Sequence, residues 1–285
     1  MKVAFLGLGV MGFPMAGHLK ARGFDVTVYN RTEAKAKEWV AKHGGQHGAT
    51  PAAAARGAEI VFMCVGNDND LLQVAGGAEG ALAGMSAGTI LVDHTTASAD
   101  AARKLYDLAK AQGVSFIDAP VSGGQAGAEN GKLTVMCGGD PTAFDKAKPV
   151  MDSYGKAVTL MGASGAGQLT KMVNQICIAG LVQALSEGIA FAEKAKLDPL
   201  LVLEVISKGA AQSWQMENRG KTMVERKFNF GFAVDWMRKD LGICMEEAKR
   251  NGAKLPVTEL IDKFYAEVQA AGGSRFDTSS LITRL

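Results

Sequence analysis

The chain has 285 residues, 47% of them hydrophobic and 21% charged, with a formal net charge of +2. That length accommodates a full nucleotide-binding domain and one further domain, with enough apolar content to fill a sizeable core. Acidic and basic residues are interspersed, which argues against a nucleic-acid stripe or a membrane-binding face and leaves a small molecule as the expected ligand. Cys64, Cys137, Cys177 and Cys244 lie far apart, without the close pairs of a zinc site. No metal is expected, and the thiols read as reduced core residues of a cytoplasmic protein. The apolar start is too short for a signal peptide core, which needs at least about seven residues. No unbroken run reaches the roughly 18 apolar residues of a membrane span.

Residues 2–6 form an apolar run that feeds into Gly7-Leu8-Gly9-Val10-Met11-Gly12, and residues 13–22 read as a helix. Between a buried strand and a helix, the G-x-G-x-x-G spacing has a mechanism. Gly7 permits the tight turn, Gly9 lets backbone approach a pyrophosphate, and Gly12 lets helix and strand pack closely. The helix N-terminus then presents N–H groups and a positive dipole end to the phosphates. Residues 25–29 complete a βαβ unit. Where that second strand ends, an NAD-preferring site carries Asp or Glu for the ribose 2′-hydroxyl, but this chain has Asn30-Arg31-Thr32. A guanidinium forks onto phosphate oxygens, so NADP(H) is the expected cofactor, with NAD a lesser alternative. Thr32 also stands where it would cap a helix over residues 33–42.

Further apolar runs of strand length fall at residues 60–65, 89–93, 115–119, 132–137 and 158–161. Helical segments separate several of them: Thr50-Pro51 starts one with a cap and a first-turn proline, and Ser98 caps residues 99–112. Strands alternating with helices predict an α/β fold whose doubly wound, mainly parallel sheet forms a Rossmann domain over residues 1–163. The pattern then changes. Residues 168–195 read as one long helix with almost no breaker, followed by helices near residues 199–208, 233–250 and 256–271. The expectation is an all-helical substrate and oligomerisation domain over residues 164–285, with the long helix as its spine. Such an apolar helical domain suggests a homodimer or homotetramer.

In a Rossmann half, ligands sit beyond the carboxyl ends of the strands. Val65-Gly66-Asn67 follows one strand and either passes under the adenosine-pyrophosphate side or forms a turn before the next helix. Thr96, after the next, either bonds the nicotinamide or ribose or belongs to a turn that leads into a helix. Ser122-Gly123-Gly124 is more specific: a hydroxyl beside two unshielded backbone N–H groups makes an anion nest suited to a substrate carboxylate. Gly127 and Gly131 continue that loop in this reading. On the long helix Lys171, Asn174 and Gln175 are spaced i, i+3, i+4 and share one face. A lysine beside two amides in a largely apolar helix suggests a polar site cut into a buried surface. Desolvation lowers a lysine pKa toward neutrality, where it exchanges protons with a carbonyl oxygen.

The sequence resembles the β-hydroxyacid dehydrogenase family, which includes 3-hydroxyisobutyrate dehydrogenase, tartronate semialdehyde reductase and glyoxylate/succinic semialdehyde reductase. The resemblance covers nearly the whole chain. It rests on GLGVMGFPMAGHL at residues 7–19, DAPVSGGQAGAENGKLTVMCGG at 118–139, GAGQLTKMVNQ at 165–175 and RKDLGI at 238–243. By position, the resemblance implies that Lys171 is the catalytic acid/base and that Ser122, Gly123 and Gly124 bind the substrate carboxylate. It also implies substrate-facing amides at Asn174 and Gln175, a Lys239-Asp240 pair that closes over the cofactor, and a pocket phenylalanine at Phe232. Many members carry a second Asn where this chain has Gln175, and several carry Leu-Pro where it has Val65-Gly66-Asn67. Residues 212–216 lie in a variable region expected to close the pocket, where Trp214, like Trp236, is either a specificity residue or a core aromatic.

The expected activity is NADP(H)-dependent interconversion of a small β-hydroxy acid and its semialdehyde. Two other readings stay open: a glyoxylate/succinic semialdehyde reductase, and a dinucleotide-binding sensor without turnover. Lys171 and its amides speak against the sensor, which needs no proton donor. They also speak against an imine reductase, which usually lacks this lysine.

Overall fold

β1 (Lys2–Leu6) runs through the middle of the sheet, and every residue from Val3 to Leu6 is buried because helices cover both faces. Val3 and Phe5 join the core on one face; Ala4 and Leu6 join the core on the other. A strand buried on both faces needs a continuous apolar run, which is what the sequence supplies. The computed structural model describes residues 1–285, divided into two units, Met1–Lys171 and Met172–Leu285.

In the first unit, β1 is followed by β2 (Asp25–Tyr29), β3 (Gln46–His47), β4 (Ile60–Met63), β5 (Ile90–Asp93), β6 (Ser115–Asp118), β7 (Val121–Ser122), β8 (Leu133–Gly139) and β9 (Gly155–Gly162). The spatial order is β3-β2-β1-β4-β5-β6-β8-β7, with β9 paired to β8. β1 to β6 are mutually parallel; β8 runs antiparallel to β6 and to β7, and β9 runs parallel to β8. The winding direction reverses between β1 and β4, and ligands of such sheets bind outside the strand ends at that switch point. Leu6, Tyr29 and Met63 are register partners there, so the strands end level. The doubly wound, mainly parallel sheet is thus the fold the sequence predicts.

Caps also form as predicted: Thr50 accepts from Ala53 N and Ser98 from Ala101 N. Thr32 occupies the N-cap position of Glu33–His43 but makes no side-chain cap bond. The third predicted strand is shorter than residues 60–65, because Val65 N bonds the Thr95 hydroxyl at 3.0 Å rather than a strand carbonyl. Val65-Gly66-Asn67 is a turn into the helix Asp68–Gly76, whose Asp70 N bonds Asn67 Oδ1 at 3.0 Å. The expected loop through Gly127 is instead a helix, Gly124–Glu129. Six residues rich in alanine and glycine are too few to show a helical period.

The second unit is helical. The spine helix, Ala166–Lys194, starts in the first unit and runs on through the second. Pro199–Ile206, Trp214–Val224, Val234–Asn251 and Pro256–Val268 follow, and the buried 3-10 turn Thr278–Arg284 ends the chain. Trp214–Val224, capped by Ser213, went unpredicted because glycine and polar residues interrupt its apolar period. Cys177 on the spine helix is exposed rather than a core thiol as expected, because apolar neighbours along a helix do not all share its buried face. By length and composition alone the spine helix is able to cross a membrane, although no unbroken apolar run signalled it. Its Ala179 and Val182 instead pack into a core with Met237, Leu241, Ile261 and Tyr265.

Candidate active site

At the end of β1, Gly7 has φ 97° and its N–H bonds Tyr29 O at 2.8 Å, turning the chain over the second strand. A Cβ at Gly7 would run into the carbonyl oxygen of Cys64, and one at Gly12 into that of Gly7. A Cβ at Gly9 would meet nothing within 4 Å. So Gly7 and Gly12 are small because protein fills the space, whereas Gly9 faces open space. No side chain caps the helix Gly12–Ala21 that follows. An uncapped N-terminus behind an open glycine fits a pyrophosphate, whose charge suits the helix dipole.

Asn30 is committed within the chain: its Oδ1 accepts Leu8 N at 2.9 Å and its Nδ2 donates to Thr32 O at 3.0 Å. The residue thereby braces the glycine loop instead of offering a carboxylate to a ribose. Arg31 is 84% exposed in its side chain and lies 3.3 Å from Asp70 Oδ1. An exposed pair of this kind holds a guanidinium loosely, since solvent screens it.

Two strand ends carry buried polar groups. Asp93 closes β5; its Oδ1 accepts Thr95 N at 3.0 Å, and its Oδ2 is buried without a partner. Burial pushes its carboxyl up to about 7 against the opposing hydrogen bonds from Thr95. His94, beside it, is buried between Phe62 and Tyr154, and burial pushes its imidazole down to about 4. Thr96 is half-buried just beyond. Asp118 closes β6 and accepts Gly165 N at 2.7 Å and Gln168 N at 3.0 Å. Burial raises that carboxyl to about 6, with the backbone donors pulling the other way.

Ser122 lies on β7, half-buried, and Gly123 and Gly124 follow with φ of 130° and 63°. Two successive residues on the positive side of φ are accessible to glycine at little cost, so backbone rather than side chain lines this corner. Lys171 is the sixth residue of the spine helix and is only 7% exposed. The nest residues and the lysine thus both belong to the first unit.

Within the second unit the remaining polar residues form a chain. Asn174 Nδ2 donates to Gln175 Oε1 at 2.8 Å, and Gln175 Nε2 donates to Asp240 Oδ2 at 2.6 Å. Asp240 Oδ1 lies 3.1 Å from Lys239 Nζ, which in turn sits 5.7 Å from the centre of the Trp236 ring. Gln175 is 2% exposed with both ends of its amide engaged inside the protein. Phe232 donates its backbone N–H to Asp277 at 2.9 Å. Trp214 is 43% exposed and stacks over Arg219, whose guanidinium carbon lies 4.9 Å from its ring centre.

Residues 2–162 match the family model described as the NAD binding domain of 6-phosphogluconate dehydrogenase. Residues 165–285 match the one described as NAD-binding of NADP-dependent 3-hydroxyisobutyrate dehydrogenase. The 2-hydroxy-3-oxopropionate reductase of Escherichia coli is 34% identical over the whole chain and 97% of its own length. The chain belongs to the β-hydroxyacid dehydrogenase family. Another relative of this dehydrogenase is an uncharacterized oxidoreductase of Shewanella frigidimarina, 65% identical across 100% of this chain and 98% of the relative. Among solved structures, the Mycobacterium tuberculosis 3-hydroxyisobutyrate dehydrogenase with L-serine superposes with a TM-score of 0.89. It is 29% identical, and the match covers 99% of this chain and 98% of that one.

For this β-hydroxyacid dehydrogenase, sequence reasoning missed Asp118, Gln168 and Thr95. In the sequence Asp118 is one letter of a motif and Gln168 the start of a helix. Gln168 Oε1 accepts Ala97 N at 3.0 Å and its Nε2 donates to Thr95 O at 2.7 Å, partners more than seventy residues away. No local spacing signals contacts of that separation.

Proposed function

We propose that the chain catalyses NADP(H)-dependent interconversion of a small β-hydroxy acid, of the 3-hydroxyisobutyrate type, and its semialdehyde. The observation that carries this reading is a lysine, Lys171, buried in the same unit as the glycine corner at Ser122. A lysine in a buried setting is suited to proton transfer, and a proton exchanged with a carbonyl oxygen is the task this family's chemistry requires.

When bound, the nicotinamide supplies a hydride in reduction and accepts one in oxidation. In reduction Lys171 donates its proton to the aldehyde oxygen as the carbon is reduced; in oxidation its neutral amine takes the hydroxyl proton. Backbone N–H groups around Gly123 and Gly124, with the Ser122 hydroxyl, hold the substrate carboxylate and so fix the reacting carbon. Support for a carboxylate comes from the M. tuberculosis relative, described with L-serine, itself a hydroxy acid. Support for NADP comes from Asn30-Arg31 and from the description of the second family model.

A panel of small aldehydes, with and without a carboxylate, assayed with both cofactors and with Lys171→Ala, tests the reading. Semialdehydes such as glyoxylate and succinic semialdehyde are expected to outpace acetaldehyde and butyraldehyde. Lys171→Ala is expected to lower kcat about a hundredfold or more, the scale of a lost general acid. Near-normal turnover in the folded variant, or equal kcat/KM for acids and plain aldehydes, would overturn it.

A further inference from the structure

Asp118 closes β6, four residues before Ser122. Its two carboxylate oxygens accept Gly165 N and Gln168 N, at 2.7 and 3.0 Å, at the start of the spine helix. Gln168 then uses its whole amide on the strand-end segment after β5, bonding Ala97 N at 3.0 Å and Thr95 O at 2.7 Å. Both side chains are completely buried. Four hydrogen bonds from two residues therefore tie the first turn of this helix to the carboxyl ends of two adjacent strands.

The packing around this joint leaves no slack. A Cβ at Gly138 would lie 2.7 Å from Asp118 Oδ1, and one at Gly167 would lie 2.6 Å from Asp118 O and 2.8 Å from its Oδ2. Charge favours the same arrangement, since a carboxylate at a helix N-terminus meets the positive end of the dipole and its unpaired N–H groups. Lys171 stands three residues, nearly one helical turn, beyond Gln168. Where Lys171 is held thus depends on where the first turn of the helix is fastened.

We propose that Asp118 and Gln168 are positioning residues for the reaction: their buried joint sets the reach of Lys171 toward a substrate whose carboxylate is anchored at Ser122–Gly124. The inference rests on the reading of Lys171 as acid/base. Misplacement of a catalytic group by about 1 Å lowers a rate by about a hundredfold. In Asp118→Asn, one of the two backbone N–H groups would face an amide N–H in place of an acceptor, and the helix start would shift. In Gln168→Leu the size is kept and both side-chain bonds are lost.

The experiment measures kcat, KM for a semialdehyde, NADPH affinity by fluorescence, the primary isotope effect with deuterated NADPH, and thermal stability, for both variants and Lys171→Ala. Expected for each joint variant is a kcat at least about tenfold lower, an isotope effect nearer its intrinsic value, and an NADPH Kd within about twofold of wild type. Gln168→Leu introduces no like-charge or donor conflict, so it decides the matter should Asp118→Asn fail to fold. If Lys171→Ala is inactive but the folded joint variants keep kcat and isotope effect unchanged, the joint has no positioning role and the acid/base reading survives. If kcat falls only in step with NADPH affinity and thermal stability, the joint is structural alone and the inference is overturned. If Lys171→Ala turns over normally, the acid/base reading itself fails.

Discussion

Tyr154 donates its phenolic hydrogen to Nε2 of His94 across 2.8 Å, with the two rings edge-on at 89°. The direction follows from the other side of the imidazole, where Nδ1 lies 2.7 Å from Ala119 O. A carbonyl oxygen only accepts, so Nδ1 carries the hydrogen and Nε2 accepts. A neutral histidine in one tautomer is therefore built into the core between β5 and the residue that follows β6.

This arrangement predicts a pH-dependent stability with a defined sign. Burial lowers His94 from 6.5 to about 4, so between those values the unfolded chain binds a proton that the folded chain refuses. The contribution is full above pH 6.5 and is lost as pH falls toward 4. Asp93 and Asp118, raised from 3.8 to about 7 and about 6, work in the opposite sense, losing stability as pH rises through those windows. The difference between wild type and His94→Asn isolates the histidine. That gap, read from urea unfolding, should narrow by about 2 kcal/mol between pH 7.5 and pH 5. A gap independent of pH would mean that His94 titrates normally. Tyr154→Phe should cost about 1–3 kcal/mol at pH 7.5, because Nε2 would lose its donor in a buried site.

Gly9 and Gly12 should separate cofactor binding from folding. A Cβ at Gly12 collides with Gly7 O and would lie 2.8 Å from the Phe5 ring, so Gly12→Ala should destabilise the empty protein by about 1–3 kcal/mol. Gly9 faces open space, so Gly9→Ala should leave the unfolding midpoint of the empty protein unchanged. Its NADPH affinity should nonetheless drop by about tenfold or more, as the methyl stands where backbone must approach a pyrophosphate. Unchanged affinity in Gly9→Ala would place the phosphates elsewhere.

Arg31→Ala should raise KM for NADPH by about tenfold or more, the worth of a lost charge-assisted pair, while KM for NADH moves little. Asp70, 3.3 Å from the guanidinium in the absence of a ligand, competes for it and adds a negative charge. Asp70→Asn should therefore lower KM for NADPH. Equal shifts for both cofactors in Arg31→Ala would make Arg31 an ordinary surface charge.

The sequence by itself determined the local features of this protein. Four apolar residues, Val3 to Leu6, before a glycine fingerprint specify a doubly buried strand and its turn, and the lysine at residue 171 falls on a helix because almost nothing between residues 166 and 194 breaks one. Each depends on residues a few positions apart, where backbone geometry leaves its period in the sequence. Tertiary structure alone decided what those residues touch. The antiparallel course of β8 rests on pairing with β6, and Asn30 braces Leu8 across 22 positions. Asp118 fastens the spine helix across 47 and 50 positions, and Gln175 spends its amide on Asp240 across 65. A carboxylate or amide has the same letter whether it faces a substrate or a buried N–H group. Which of these it faces is set by the packing of distant segments, because a buried polar group must find its partner wherever the fold brings one.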